Sequence, residues 1–237
     1  GERIVQDTLE KHGYKKTKYE DRNEFTKSDE APFEEEDTSF EIQEHPNGGY
    51  RERTIANVQQ ADATLAFAND FTTPGERLTK NSAINQHKPY LAIQLDENAE
   101  SDIDSTVNDI VSFLKRNKAR SLNIAGNAIS HMPKATQQKL DEYMYKVLEG
   151  VHTKYSLTAI RSGGQTGADE AGAKAGRKLG IKTTVLAPNG YLFIGGSGKK
   201  AFEARFDEKP NESNKIEEVY KEKEEAKEAK QEVVATE

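Results

Sequence analysis

Ile160-Arg161-Ser162-Gly163-Gly164-Gln165-Thr166-Gly167-Ala168-Asp169-Glu170-Ala171-Gly172 is the stretch whose reading decides the fold. A short apolar run, Leu157 to Ile160, ends in three closely spaced glycines, and a small-residue helix pattern from about Ala168 to Leu179 follows at once. Gly163, Gly164 and Gly167 permit positive φ and remove side-chain bulk, so successive backbone N–H groups are free to converge on one point. The helix that follows adds its positive N-terminal end. Ser162 and Thr166 add hydroxyl donors, and Gln165 lies between them. The pattern is neither Walker A nor GxGxxG, so only the general mechanism of anion binding transfers. The same residues also fit a tight strand-to-helix turn in which Gly172 and Gly176 let the helix pack closely. Asp169 and Glu170 fall in the first helical turn. There they either complement the helix dipole or contact ligand hydroxyls and polarise a glycosidic bond.

Outward from this turn the chain alternates. Ala63 to Ala68, Tyr90 to Leu95, Ser121 to Ala125 and Lys182 to Ala187 read as further strands. Helices are expected over Arg77–His87, stopped by Pro89, over Ile103–Asn117 and over Ala135–Val151. Ile103, Val107, Ile110, Val111 and Leu114 share one helical face, as do Leu140, Met144, Val147 and Leu148. Strands alternating with helices across short links imply a parallel sheet covered on both faces, with ligands bound at the strand C-terminal edge. The predicted fold is therefore α/β, a Rossmann-like parallel sheet of about five strands with helices on both faces and charged N- and C-terminal tails. Gly190 to Phe206, with Tyr191, Phe193, Phe202 and Phe206, reads as a lid or small β excursion. Tyr191 and Phe193 either stack on a base or pack in the core.

The tails differ from this body. Residues 1–48 are polar and contain Glu34-Glu35-Glu36-Asp37, with Phe25, Phe33, Phe40 and Ile42 scattered without period, so they read as a charged arm or linker. Residues 49–207 form the predicted domain. Residues 208–237 form a tail whose Glu-, Lys- and Ala-rich part mixes attractive and repulsive i,i+4 pairs and sustains no apolar seam.

Composition sets bounds. The chain has 237 residues, 34% hydrophobic and 32% charged, and a net charge of −7. That balance argues against a general nucleic-acid binder but leaves room for a small anion held by a local nest of amides. With no cysteine, thiolate chemistry and Cys-type metal sites are excluded. No apolar run approaches a membrane span, and a soluble, cytoplasmic protein without a membrane partner is expected.

The segment SGGQTGADEAG resembles the Gly-rich signature of the "putative molybdenum carrier" family. That family lies within the SLOG superfamily of Rossmann-like nucleotide-binding proteins, which also includes the LOG phosphoribohydrolases and DprA proteins. Three other blocks share the resemblance. Arg53-Thr54-Ile55-Ala56-Asn57-Val58 with Ala61-Asp62-Ala63-Thr64 is similar to the family's RTxxNV…SDxTL segment. Gly75-Glu76-Arg77-Leu78-Thr79 stands where the family has a Gly-Thr turn leading a helix. Leu122-Asn123-Ile124-Ala125-Gly126-Asn127 is similar to LNxAGxR. The similarity covers about Tyr50 to Phe206. The Gly-rich turn comes last rather than first, so the chain looks circularly permuted, and Glu76-Arg77 replaces the family's Thr-rich turn.

The resemblance implies that three loops meet at the strand edge: Ser162 to Asp169, Asn69 to Thr79, and Gly126 to His131. Asn69, Asp70 and Asn127 then either bond a base or ribose or serve as turn formers and caps. Gly75 and Thr79 open a second helix N-terminus toward the ligand, and Arg53 either neutralises a phosphate or lies on the surface. His12, His45, His87, His131 and His152 are dispersed and form no metal motif, and no cofactor is required by the sequence. The leading expectation is a module that binds a nucleotide or a nucleotide-derived, phosphate-bearing signal molecule at the Gly-rich turn. One alternative is an enzyme acting on an N-glycosidic bond through Asp169 or Glu170, although the PGGxGTxxE motif of the LOG enzymes is missing. Another is an interaction protein with a vestigial pocket. Single-strand DNA binding is disfavoured by the acidic balance, and a homo-oligomer stays open as a partner.

Overall fold

The structure, a computed structural model, describes residues 14–16, 25–27, 39–98 and 101–207. The chain divides into two units, residues 1–38 and 39–237. In the first, β1 (Tyr14–Lys16) pairs antiparallel with β2 (Phe25–Lys27). The tail expected beyond residue 207 lies outside the described residues.

The second unit is a six-stranded parallel sheet. Its strands are β3 (Phe40–Glu44), β4 (Ala63–Ala68), β5 (Tyr90–Gln94), β6 (Ser121–Gly126), β7 (Ala159–Ser162) and β8 (Lys182–Ala187), in the spatial order β3-β8-β7-β6-β4-β5. The sheet is thus Rossmann-like α/β, as the alternation predicts. β4 is buried along its whole length, which is why it reads as an unbroken apolar run, Ala-Thr-Leu-Ala-Phe-Ala.

The helices are α1 (Tyr50–Gln60), α2 (Pro74–Asn85), α3 (Ile103–Asn117), α4 (Gln137–Lys154), α5 (Ala168–Lys178) and the short α6 (Lys199–Glu203). Helix starts follow their caps: Thr73, Asp102 and Thr136 accept from the amides of Glu76, Ser105 and Lys139. Pro74 at the first helical position makes α2 begin three residues before its expected start.

Several elements depart from the sequence prediction, β3 and α1 foremost. β3 lies within the stretch expected to be an arm. It is an edge strand that turns only Phe40 and Ile42 inward, too few apolar positions to stand out beside Glu41, Gln43 and Glu44. α1 shows no apolar stripe, because its buried residues include Arg53 and Asn57 beside Val58. The Gly190–Phe206 excursion contains a single bridge, Phe193 to Gly196, and α6. Its Tyr191 and Phe193 pack edge-on against Phe202, at 5.7 and 6.0 Å between ring centroids, so they belong to the core.

Chain direction across the sheet reverses at the edge strand β5, which makes the gap between β4 and β6 the switch point. From β4 the chain steps outward to β5, then returns over β4 to β6, β7 and β8. Right-handed crossovers put α1 and α2, which pack together, on one face and α3, α4 and α5 on the other. The reversal opens a crevice beyond the C-terminal ends of β4 and β6, where ligands bind in such sheets.

The register gives the two faces opposite chemistry. Toward α3–α5 run the rows Leu91–Leu65–Ile124 and Ala63–Leu122–Ile160, part of the main hydrophobic core. Toward α1 and α2 runs a row that is polar on every strand: Tyr90, Thr64, Asn123, Arg161, Thr184 and Glu41. Asn123 Nδ2 donates to Thr64 Oγ1 at 3.3 Å, and Thr184 Oγ1 donates to Glu41 Oε1 at 2.8 Å.

Candidate functional site

The Gly-rich turn is tied down by its own side chains. Ser162 is fully buried; its Oγ donates to the Asp169 carbonyl at 2.6 Å and accepts from the Gly164 amide at 3.0 Å. Gln165 Oε1 accepts from the amides of Thr166, at 3.1 Å, and Ile194, at 2.7 Å. Gly167, at φ 96°, is clasped by Gln137, whose Oε1 accepts from its amide at 2.7 Å and whose Nε2 donates to its carbonyl at 3.1 Å. The Ala168 amide donates to the Asn127 carbonyl at 3.1 Å. The sequence predicts amides converging on an external anion. In the structure most of these amides are taken by the neutral groups just named, and two meet the carboxylate of Asp169: Gln165 N–H approaches its Oδ2 at 3.5 Å, and the Gly163 N–H also bonds it.

Asp169 has a second partner from across the sheet edge. Arg53 Nη1, from α1, donates to Asp169 Oδ2 at 2.8 Å, with both side chains buried. The guanidinium passes over Gly163 so closely that a Cβ there would occupy the position of Nη1. This glycine is needed for close approach. Burial pushes the Asp169 carboxyl up from the usual carboxylate range, and Arg53 opposes that shift.

Glu170, one residue on, points elsewhere. Its carboxylate accepts from Lys174 Nζ at 2.6 Å and Arg205 Nη1 at 2.7 Å, and Lys174 also pairs with Asp141 at 2.8 Å. Arg205 further donates to the Gly164 carbonyl at 2.7 Å and lies over the Phe193 and Phe202 rings.

Between α1, α2 and the sheet edge lies a cavity of about 300 Å³. Arg53, Asn57 and Tyr50 face it from α1, and Pro74, Gly75, Glu76 and Thr79 from the start of α2. Asn123, Ala125 and Gly126 line it from β6 and Asn127 from just beyond, Gly163, Gln165 and Asp169 from the Gly-rich turn, with His131 and Ile194 also in the wall. Of the residues singled out in the sequence, Arg53, Gly75, Thr79, Gly126, Asn127, Gly163, Gln165 and Asp169 meet here. Ser162, Gly164, Thr166, Gly167, Asn69, Asp70 and Glu170 are not part of the lining.

Asn69 and Asp70 belong to a loop that Asn127 organises. Asn127 Oδ1 accepts from both their amides, at 3.1 and 3.0 Å, and its Nδ2 donates to the Asp70 carbonyl at 3.0 Å. Asp70 Oδ1 in turn accepts from the Thr72 amide at 2.7 Å, closing a local turn.

Asn57, Glu76 and Asn123 escaped the sequence reading as site residues. The available signal was the i,i+4 spacing of Arg53 and Asn57 on one helix face. Glu76 is 4% exposed, and its carboxyl is pushed up to about 7, first by burial and then by repulsion from Asp169. Its Oε1 accepts from Asn127 Nδ2 at 3.4 Å, a weak contact that acts in the opposite direction. Among the described residues no group of three or more His, Cys, Asp or Glu side chains is arranged to hold a metal ion, and no helix is long and apolar enough to cross a membrane.

A parallel sheet wound on both faces, with a small-molecule-sized cavity at its switch point, defines a Rossmann-like protein with a ligand-type crevice. The model of the circularly permuted YpsA SLOG family matches residues 25–148, just over half of the chain, and the chain belongs to that family. The order of blocks along the sequence, with the Gly-rich turn last, agrees with that permutation. Among solved structures the chain is similar to one described as a "putative molybdenum carrier protein" from Syntrophus aciditrophicus SB. Identity is 30% over 46% of this chain, with a TM-score of 0.39. The match spans 64% of that protein, slightly under two thirds of its length. No curated protein matches the chain.

Proposed function

We propose that the cavity binds a nucleotide or nucleotide-derived molecule, with its nucleoside part inside and its phosphate at the first turn of α2. The observation that carries this reading is a set of buried polar side-chain atoms on cavity-lining residues with no partner among the described residues: Arg53 Nε, both polar atoms of Asn57, and Glu76 Oε2. Buried polar groups of folded proteins are nearly always paired, so such a cluster at a switch-point crevice fits a site that a polar ligand completes. At about 300 Å³ the cavity sits at the small end of the roughly 300–1,000 Å³ range of ligand sites, which suits a nucleoside better than a dinucleotide. The Asp169 carboxylate is a natural acceptor for ribose hydroxyls. Gly75, without a side chain, leaves the positive end of α2 accessible to phosphate.

Thermal-shift titration with mononucleotides, ADP-ribose and molybdate tests the reading. A nucleotide is expected to stabilise the protein by about 2.7 kcal/mol at roughly one hundred times its dissociation constant. Arg53→Ala is expected to remove the shift. The absence of any nucleotide-dependent shift, or a shift with molybdate alone, ends the proposal.

One observation favours hydrolysis of an N-glycosidic bond as a second reading. Glu76 and Asp169 face the same cavity, and a carboxyl at about 7 suits a general acid at neutral pH. Glu76 would protonate the departing base, Asp169 would stabilise the oxocarbenium-like ribose, and water would add to the sugar. Glu170, held by Lys174 and Arg205, takes no part in this scheme. Release of free base from a mononucleotide, lost in Asp169→Asn, is the expected result; intact nucleotide after long incubation with the unaltered protein excludes the reaction.

A further inference from the structure

Asn57 projects from α1 one turn beyond Arg53 and is 2% exposed. Neither its amide nitrogen nor its carbonyl oxygen has a partner among the described residues, and it lines the cavity. Glu76, also buried, adds Oε2 to the same cavity as a second acceptor with no partner among the described residues. Leu78, Ala125 and Ala128 supply apolar wall. The site therefore offers a flat ligand one donor, the acceptor beside it on the same carboxamide, and a further acceptor from α2.

We propose that Asn57 and Glu76 form a base-reading subsite that takes a guanine-type edge, a ring carbonyl followed by two N–H donors. This rests on the nucleotide reading above and goes beyond it by naming the base. A carboxamide makes two parallel hydrogen bonds with a ring that places a donor next to an acceptor, and Asn57 Nδ2 and Oδ1 meet the ring carbonyl and ring N–H in this way. The exocyclic amino group then donates to Glu76 Oε2. Hypoxanthine and uracil satisfy Asn57 but bring no second donor to Glu76. Adenine also pairs with the carboxamide and leaves the carboxylate without a partner. Cytosine directs an acceptor at it. Hydrogen bonds to a carboxylate are the stronger kind, so the second donor carries most of the discrimination.

Calorimetric titration of the full chain at pH 8 with GMP, IMP, AMP and UMP tests the assignment, because GMP and IMP differ only in that amino group. GMP is expected to bind tightest, with IMP weaker by about tenfold for one lost charge-assisted hydrogen bond. Glu76→Gln is expected to erase most of the preference for GMP over IMP. Asn57→Leu, close in shape and needing no partner, is expected to weaken every nucleotide by at least about tenfold while raising the melting temperature of the ligand-free protein. Equal binding of GMP and IMP overturns the subsite while leaving the nucleotide reading intact. A lower melting temperature for ligand-free Asn57→Leu also overturns it, because Asn57 would then be serving the fold. No binding of any nucleotide overturns the nucleotide reading and the subsite with it.

Discussion

The two faces of the sheet share one backbone and differ in almost every side chain. Toward α3, α4 and α5 the strands present Leu65, Phe67, Leu122, Ile124 and Ile160, all fully buried. Toward α1 and α2 they present the row from Tyr90 to Glu41, with alanines at 66, 92 and 125 in the adjoining row. Large apolar groups interlock and leave little space. At the strand ends Asn123, Ala125 and Gly126 are too short to fill the gap beneath two helices, and the space they leave is the cavity. The comparison teaches a division of labour: the first face packs the core, and the second turns polar atoms toward the cavity.

Substitutions on the two faces break or sharpen that contrast. The largest effect is expected on the apolar face. Phe67→Ala removes a fully buried ring and should lower unfolding free energy by about 3–5 kcal/mol in urea denaturation. A loss below about 1 kcal/mol would mean that this face does not carry the fold.

Next comes Arg53→Ala, which leaves the buried Asp169 carboxylate without its ion-pair partner. About 3 kcal/mol is expected, the low end for a broken buried pair, because the cavity gives water a route to the carboxylate. Urea denaturation of this variant alongside Asp169→Asn and the double variant isolates the pair; additive losses would show that the two residues are not coupled.

Glu76→Gln should act in the opposite direction. The folded-state value of about 7 lies above the ordinary 4.5, so folding favours the protonated carboxyl. Its contribution is fully present below about pH 4.5 and is lost as the pH rises through 7. The variant is therefore expected to exceed the unaltered protein in stability by about 2–3 kcal/mol at pH 8, with the gap closing near pH 5. A gap independent of pH would refute the assignment.

The smallest effect is expected away from both faces. Lys199 and Glu203 form an exposed i,i+4 pair at 3.7 Å on α6, and Lys199→Ala should change stability by less than about 0.5 kcal/mol. A larger loss in chemical denaturation would show that α6 depends on more than its packing through Phe202.

How much was legible follows the same contrast. β4, β8, α3 and α5 could be read almost to the residue, because strands and helices that serve the apolar face carry its periodicity. α1 could not, since a helix whose buried side holds Arg53 and Asn57 shows no apolar stripe. β3 was hidden for a different reason: an edge strand needs only Phe40 and Ile42 inward. At the site, the Gly-rich pattern and the family resemblance singled out Arg53, Asp169, Asn127 and the glycines, each with a purely structural alternative left open. Glu76 did not, because an acidic residue in a first helical turn ordinarily complements the dipole, and only burial beside Asp169 turns it into a carboxyl near 7.

The sequence by itself determined the parallel α/β order and the position of the Gly-rich turn, since both are written in local periodicity and glycine spacing, while the permuted arrangement of blocks came from the resemblance to a known family. The tertiary structure alone decided what the turn holds. Arg53 and Asp169 are 116 positions apart, and only the return of the chain across β4 brings α1 over the start of α5. The turn's amides are taken up by the chain's own groups, those of Gly163 and Gln165 by the Asp169 carboxylate, because a side chain's partners are set by the elements packed around it.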